Sequence, residues 1–194
     1  MRMIVGLTLL LLFPTAPVFG EETLTEVGHK PRLKNEKKIK ASFAKLAPML
    51  AKLPDDSGLT LYQGLPRHPG SIDEQVAQYD AKSMSKRFGH VFYNTPNEVA
   101  AKDKNKLSDL LKDPKAFIQF RGYKFCGGFH PDVALVWGTG NNTVEIHVCF
   151  GCHELKAFRK SVEVYCDIPN DTFDDLKKLL GKYQQQHAKS AAGQ

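Results

Sequence analysis

Two cysteines and a histidine lie close together in the segment VCFGCHELK, residues 148–156. Cys149 and Cys152 are separated by two residues and His153 follows directly, which gives the pattern Cys-x-x-Cys-His. That pattern is the attachment signature of c-type haem, in which two thioether bonds hold the porphyrin and the histidine binds the iron. The same residue types also suit a disulfide, a zinc site or a redox-active dithiol.

The position of these residues depends on a hairpin that the sequence predicts around GTGNN, residues 138–142. The nearly all-apolar run 132–138 is typical of a strand buried on both faces, and the run 143–150 alternates like a half-buried strand. A short Gly- and Asn-rich connection between two strands favours a hairpin, here with Gly140-Asn141 as its two-residue turn.

This register brings a second cysteine/histidine segment, FCGGFHPD, alongside the first. It places Cys149 opposite Asp132 and Cys152 opposite Phe129, at the same end of the hairpin. The sequence therefore predicts one cluster of five residues there: Cys126, His130, Cys149, Cys152 and His153. Cys166, in the next predicted strand, would lie nearby if that strand pairs with its neighbour.

A structural disulfide framework is the first interpretation of the cluster. The four cysteines form an even set, and an exported chain reaches compartments in which thiols oxidise. The candidates are Cys126, Cys149, Cys152 and Cys166, and two arrangements stay open. Either Cys149–Cys152 forms with Cys126–Cys166, or Cys126 joins one of the central pair.

Haem c and zinc are the alternatives. Haem would be attached at Cys149 and Cys152 with His153 as an iron ligand, although the motif follows a strand and such sites usually begin a helix. Zinc would take four ligands from the predicted cluster of Cys126, His130, Cys149, Cys152 and His153, but a single Cys-x-x-Cys is a weaker signal than a paired one. A redox-active dithiol is least favoured, because that motif belongs to a βαβ setting.

The amino terminus predicts export. Arg2 precedes an apolar run from Ile4 to Phe13, and a small-residue pattern at 18–20 suits signal peptidase. The run is too short to span a bilayer, so residues 1–20 are predicted to be a signal peptide of a soluble periplasmic or extracellular protein. No later segment has transmembrane length.

The remaining chain predicts an α+β fold: an antiparallel sheet with a central hairpin, flanking helices and a C-terminal amphipathic helix. The boundaries expected are a flexible leader and basic amphipathic helix at 21–57, one domain at 58–187 and a disordered tail at 188–194. Helices are predicted at 36–53 (broken at Pro48), 72–82, 97–112 and from 169 onward, and further strands at 59–65, 88–95, 116–120 and 161–167.

Charge and motifs narrow the function classes. The formal net charge is +6, and the basic segment 29–52 carries eight Lys/Arg against Glu36. A solvated helix face is the favoured interpretation of this segment, and a weak anionic partner is the alternative. No nucleic-acid signal is present, because aromatic residues are not interleaved. No nucleophile elbow, phosphate loop or His-Glu-x-x-His helix occurs, which disfavours an enzyme. His147 is predicted to be an ordinary exposed strand histidine.

The motifs LYQGLP (61–66), CGGFHPD (126–132) and CFGCHELKAF (149–158), behind a signal peptide, resemble a group of exported bacterial proteins of unknown function that carry Cys-Phe-x-Cys after a strand. The resemblance covers roughly 59–183 and implies no activity. In that group the residue after the second cysteine is not always histidine, which implies that His153 completes the haem pattern by coincidence. The expected function is a non-catalytic binding or interaction module, with no cofactor, and its alternative is a c-type haem protein in electron transfer or sensing.

Overall fold

A seven-stranded antiparallel sheet forms the centre of the described structure. The computed structural model describes residues 36–53, 58–67, 81–122, 124 and 128–184. The predicted signal peptide, leader and tail lie outside these residues, as does the predicted helix 72–82 except for its last two residues, which belong to a 3₁₀ helix at Ala81–Ser83. The strands of this sheet, in chain order, are β1 (Thr60–Gln63), β4 (Asn97–Glu98), β5 (Ile118–Gln119), β6 (Val133–Trp137), β7 (Val144–Cys149), β8 (Glu154–Arg159) and β9 (Val162–Asp167); β2 and β3 form a separate hairpin, described below. The order of the sheet strands in space is β4-β1-β6-β7-β8-β9-β5.

Helices cover one face of this sheet and make the fold α+β. They are α1 (Glu36–Phe43), α2 (Leu46–Leu50), α3 (Ala101–Lys112) and α4 (Asn170–Leu180). Alternate strand residues such as Leu135, Ile146 and Leu155 meet helix residues such as Leu107 and Leu176 in one apolar core. We call this side the core face. None of the described helices has the length and apolar character needed to cross a membrane.

The central hairpin has the predicted register. Val133 pairs with Val148 and Ala134 with His147, which continues to the expected alignment of Cys149 with Asp132. The connection differs from the predicted two-residue turn, because a short 3₁₀ helix spans Gly140–Asn142. The Thr143 hydroxyl donates to the Gly140 carbonyl oxygen over 2.9 Å, and this local bond closes the longer loop without changing the pairing.

The first helical segment packs into the same apolar core as the sheet, and the predicted boundary at 57/58 stays a prediction. Leu46, Met49 and Leu50 are buried with the sheet residues. The break predicted at Pro48 lies instead before Leu46, and Pro48 stands in the first turn of α2. Proline tolerates a first turn but its ring clashes with the carbonyl of the residue four positions back, which explains why α1 ends earlier.

A second hairpin, which the sequence did not reveal in full, lies on the other side of the sheet. It consists of β2 (Met84–Arg87) and β3 (His90–Tyr93), with Phe88 and Gly89 at the turn. Both turn residues have positive φ, 43° and 81°. The predicted strand 88–95 is therefore shorter at its start, because this turn type needs left-handed backbone at both positions. We call the side that carries this hairpin the hairpin face.

Candidate functional site

The Cys-x-x-Cys-His motif forms the tight turn between β7 and β8. Cys149 ends β7, Glu154 begins β8, and these two residues pair across the turn. The segment after His153, which is usually helical in a c-type haem site, is an extended strand. His153 itself has a left-handed backbone, with φ of 53°. The motif therefore closes a β-hairpin, a setting in which the two thiols and the imidazole are not aligned along one helix face.

The cysteines differ in state. Cys149 and Cys166 are buried free thiols. Cys152 is disulfide-bonded, and Cys126, the remaining cysteine of the sequence, lies outside the described residues. The predicted pairings Cys149–Cys152 and Cys126–Cys166 are therefore absent, and the alternative in which Cys126 joins one of the central pair stays a prediction.

Strand register explains why Cys166 stays outside the cluster. Cys166 pairs with Leu155, which pairs in turn with Val148, so its side chain belongs to the core face. Cys149 pairs with Glu154 and lies on the hairpin face. Two cysteines on opposite faces of a sheet cannot reach each other, because successive side chains of a strand point to opposite sides.

Cys149 is held as a thiol. Burial raises its pKa to about 11, and this outweighs the backbone N–H groups of His130 and Cys152, which donate to the sulfur. Those contacts confirm that the segment of His130 lies beside the turn, as the register predicted. A thiol that is largely protonated at neutral pH is a poor nucleophile and a poor metal ligand.

His153 turns away from the other predicted ligands. Its ring stacks on Phe173 of α4, with centroids 3.6 Å apart and planes 11° from parallel. Because Phe173 belongs to the core face, His153 and Cys149 diverge. Within the described part of the chain, no three His, Cys, Asp or Glu side chains are grouped as a metal ion requires. The zinc and haem alternatives stay predictions, and the thiols and imidazole do not fit either group as they are arranged.

Lys124 binds the turn to the rest of the sheet. Its ammonium donates to the carbonyl oxygens of Cys152 and His153, at 2.8 and 3.2 Å. It also lies 2.9 Å from Asp167 Oδ1 and 3.6 Å from Glu154 Oε1. The Glu154 carboxylate accepts a hydrogen bond from the Tyr165 hydroxyl over 2.6 Å. Burial nevertheless raises the pKa of Glu154.

An open depression of about 650 Å³ lies next to the turn, between β5, β9 and the start of α4. Its lining combines apolar side chains with a guanidinium, an imidazole, a carboxylate and an amide: Ile118, Arg121, Lys124, Cys152, His153, Asp167, Ile168, Pro169 and Asn170. Arg121 is exposed, and its backbone N–H donates to Asp167 Oδ2 over 3.1 Å. Five of the nine lining residues carry charged or polar side chains, so the depression presents polar groups beside its apolar walls.

A buried Glu–His pair occupies the hairpin face. His147, predicted to be exposed, has 0% exposure because the β2–β3 hairpin covers it. Its Nε2 lies 2.7 Å from Glu145 Oε1, and Arg87 of the hairpin lies 2.9 Å from Glu145 Oε2. Burial lowers the pKa of His147, with Glu145 acting in the opposite direction.

Several of these residues carried no usable signal in the sequence. Nothing in the sequence distinguishes Lys124 from the other lysines. The role of Glu145 depends on its ion pair with Arg87, which belongs to a hairpin distant in the sequence. The turn Phe88-Gly89, between two short runs of suitable length, was the signal that could have revealed the covering hairpin. The run LKAF after His153 could likewise have been recognised as the strand β8.

Comparison with known proteins adds no relative, since no family model, curated protein or solved structure matches this chain.

Proposed function

We propose that this chain is an exported, non-catalytic binding module whose cysteine motif has a structural role. The observation that carries the proposal is the disulfide-bonded Cys152 within a tight β-turn whose carbonyl oxygens are held by Lys124. We assign Cys126 as the partner of Cys152, because the other two cysteines are free thiols. A disulfide at this point would fix the segment of His130 beside the turn.

The chemistry of the neighbouring groups supports a role without catalysis. The Cys149 thiol is buried and its pKa is raised to about 11, whereas catalytic cysteines have lowered pKa values and partial exposure. His147 is oriented by a carboxylate as a general base would be, yet it has 0% exposure. A base must come within hydrogen-bond distance of its substrate, directly or through one water.

The depression beside the turn is the surface we assign to ligand binding. Arg121 and Asn170 provide polar contacts, and Ile118 and Ile168 provide apolar area. Cys152 and Lys124 are among its lining residues, and the proposed disulfide and the Lys124 contacts would keep its shape constant. Preorganisation of this kind lowers the entropic cost of binding.

The structural role of the cysteines is tested by producing the protein with the cytochrome c maturation system and measuring its absorption spectrum, intact mass and metal content. We expect a colourless, metal-free protein. Alkylation after unfolding without reductant should modify two thiols, and alkylation after reduction should modify four. A Soret band with a haem-sized mass increase, or stoichiometric zinc, would overturn the proposal.

The binding role is tested by a fragment screen followed through amide chemical shifts. Fragments should perturb residues around Ile118, Arg121 and Asn170, and Arg121→Ala should abolish these shifts without changing the fold. Lys178→Ala, on the exposed side of α4, is the matched control and should leave them unchanged. Perturbations that cluster elsewhere, or that survive Arg121→Ala, would show that the depression is not the binding surface.

A further inference from the structure

The β2–β3 hairpin is attached to the sheet through a small set of aromatic and polar contacts. Phe88, at its turn, stacks on Phe158 with centroids 4.1 Å apart and planes 6° from parallel. Phe92 lies 4.8 Å from the His147 ring, and Arg87 pairs with Glu145. Among the residues that the structure describes, one isolated backbone bridge, between Gly64 and Phe92, joins the hairpin to the end of β1. The attachment therefore depends mainly on side chains.

Two histidines meet at the centre of this interface. The rings of His90 and His147 lie 5.5 Å apart at an angle of 77°. His90 comes from the hairpin and also contacts Phe129 at 5.3 Å, while His147 is surrounded by Phe88, Phe92 and Phe158. The His147 ring is thus fully buried among aromatic side chains, and the partly buried His90 ring packs between His147 and Phe129.

The hydrogen bonding of His147 uses one ring nitrogen and leaves the other without a partner in the described structure. A carboxylate can only accept, so Nε2 carries the hydrogen that it donates to Glu145. Nδ1 has no hydrogen-bond partner within the described structure. A buried acceptor without a donor is costly. This nitrogen is therefore a site where a proton can add once the interface loosens.

Glu145 favours a proton on His147, whereas the other charges that face the two rings disfavour one while the interface is closed. Arg87 on β2 and Lys156 on β8 are cations close to His147, and Glu145 on β7 is shared with Arg87. Lys156, His130 and His147 all disfavour a charge on His90. Glu163 of β9 lies 3.1 Å from Lys156 but is half exposed. On the same face, Cys149 is a protonated thiol and Tyr62 lies under Arg87.

We propose that the His90–His147 pair is a proton-operated latch, through which mild acid releases the β2–β3 hairpin from the sheet. Proton uptake at a ring nitrogen of His90 and at His147 Nδ1 is compatible with the open state, where water solvates both imidazolium rings. It is not compatible with the closed state, where two cations would lie 5.5 Å apart among aromatic rings. Opening would uncover Phe92, Phe158 and the Glu145 carboxylate.

The expected size of the effect follows from proton linkage. Burial, the largest cause, lowers the pKa of His90 from 6.5 to about 3. If exposure restores the ordinary value, His90 alone makes opening about 100-fold more favourable at pH 4.5 than at pH 7.5. An isolated two-stranded hairpin is at best marginally stable in water, so its amides should exchange once it is released.

Hydrogen exchange measured by mass spectrometry tests the latch in the full-length mature protein. Protection factors, corrected for the pH dependence of intrinsic exchange, are compared at pH 7.5 and 4.5. We expect amides of 84–93 to lose about 100-fold in protection, while amides of β8 and β9 keep theirs. Equal loss in both regions would mean acid unfolding of the whole domain, and unchanged protection at 84–93 would mean no latch; either result overturns the proposal.

Substitutions at His90 and His153 test which histidine is responsible for the pH response of the latch. His90→Phe keeps an aromatic ring against Phe129 and removes the titrating group, so most of the pH response should disappear. His153→Phe is the matched control, because its ring stacks on Phe173 away from the hairpin, and the response should persist. If His90→Phe fails to fold, His90→Asn provides the same comparison. A full response in the His90 variant contradicts the assignment.

Discussion

Lys124 lies among four oxygen atoms at the end of the sheet where β7 turns into β8. Two are carbonyl oxygens of the turn, and two belong to the carboxylates of Glu154 and Asp167. Both carboxylates are buried. The lysine therefore has two effects: it donates hydrogen bonds to the carbonyl oxygens of the turn, and its positive charge compensates the two buried carboxylates. Its importance comes entirely from these surroundings.

Replacing Lys124 by Met should lower the free energy of unfolding. Removing one partner of a buried ion pair costs about 3–5 kcal/mol, and because the Lys124 side chain is 28% exposed we expect a smaller loss of about 2 kcal/mol. Urea unfolding followed by the fluorescence of buried Trp137 measures it. Lys178→Met, on the exposed side of α4, should change stability by less than about 0.5 kcal/mol. Equal effects of the two substitutions would contradict this role.

At the scale of elements, the end of β1 is where three chain segments meet. The Gly64 N–H donates to the Asp132 carbonyl oxygen over 2.8 Å, and Gly64 also bridges to Phe92 of β3. A side chain here would overlap the Pro131 carbonyl oxygen. The segment that carries His130 can approach β1 so closely only because this position has no Cβ. The glycine therefore helps to position both that segment and the β2–β3 hairpin.

Gly64→Ala should therefore separate β1 from the segment before β6. The Cβ would meet backbone atoms, which cannot rotate aside, so we expect a loss of stability of about 2–3 kcal/mol and faster exchange of the Gly64 and Phe92 amides. Gly181→Ala is the control. It has helical φ of −58° and open space around it, so it should stabilise slightly, by about 0.5 kcal/mol. Thermal unfolding of both variants measures these changes. A Gly64→Ala variant with unchanged stability would refute the close approach.

At the scale of the whole molecule, the sheet buries ionisable groups on the face that lies away from the main core. Burial lowers the pKa values of His90, His130 and His147. The unfolded chain takes up protons at these positions below about pH 6.5, and the native state takes them up only at lower pH. Their contribution to stability is present above that pH and is lost as the pH falls. The raised pKa of Glu154 acts in the opposite direction.

Global stability should consequently decrease between pH 7.5 and pH 5. With a native pKa of about 3, His90 alone contributes a decrease of about 2 kcal/mol over this interval. Urea denaturation at both pH values measures it. His90→Phe isolates the contribution, because this variant keeps all other titrating groups and should show a smaller decrease. If wild type and variant lose equal stability, His90 is not buried as a neutral ring in the native state.

The antiparallel hairpin, its register and the C-terminal helix could be predicted from the sequence, because these features depend on local patterns. Alternation along 143–150, a Gly/Asn-rich connection and the spacing of apolar residues after Pro169 specify strand, turn and helix with little help from distant residues. The approach of His130 to Cys149 followed directly from that register.

Only the tertiary structure decided what surrounds those residues. Cys149 pairs with Glu154 and Cys166 pairs with Leu155, and these neighbours on β8 point to opposite faces, so the two cysteines do as well. His153 faces α4, where its ring stacks on Phe173. His147 is buried because a hairpin far away in the sequence covers it. Residue types and spacing specify which groups are able to react, but the solvation and partners of those groups depend on non-local packing. That packing is what supports the structural role proposed for the turn.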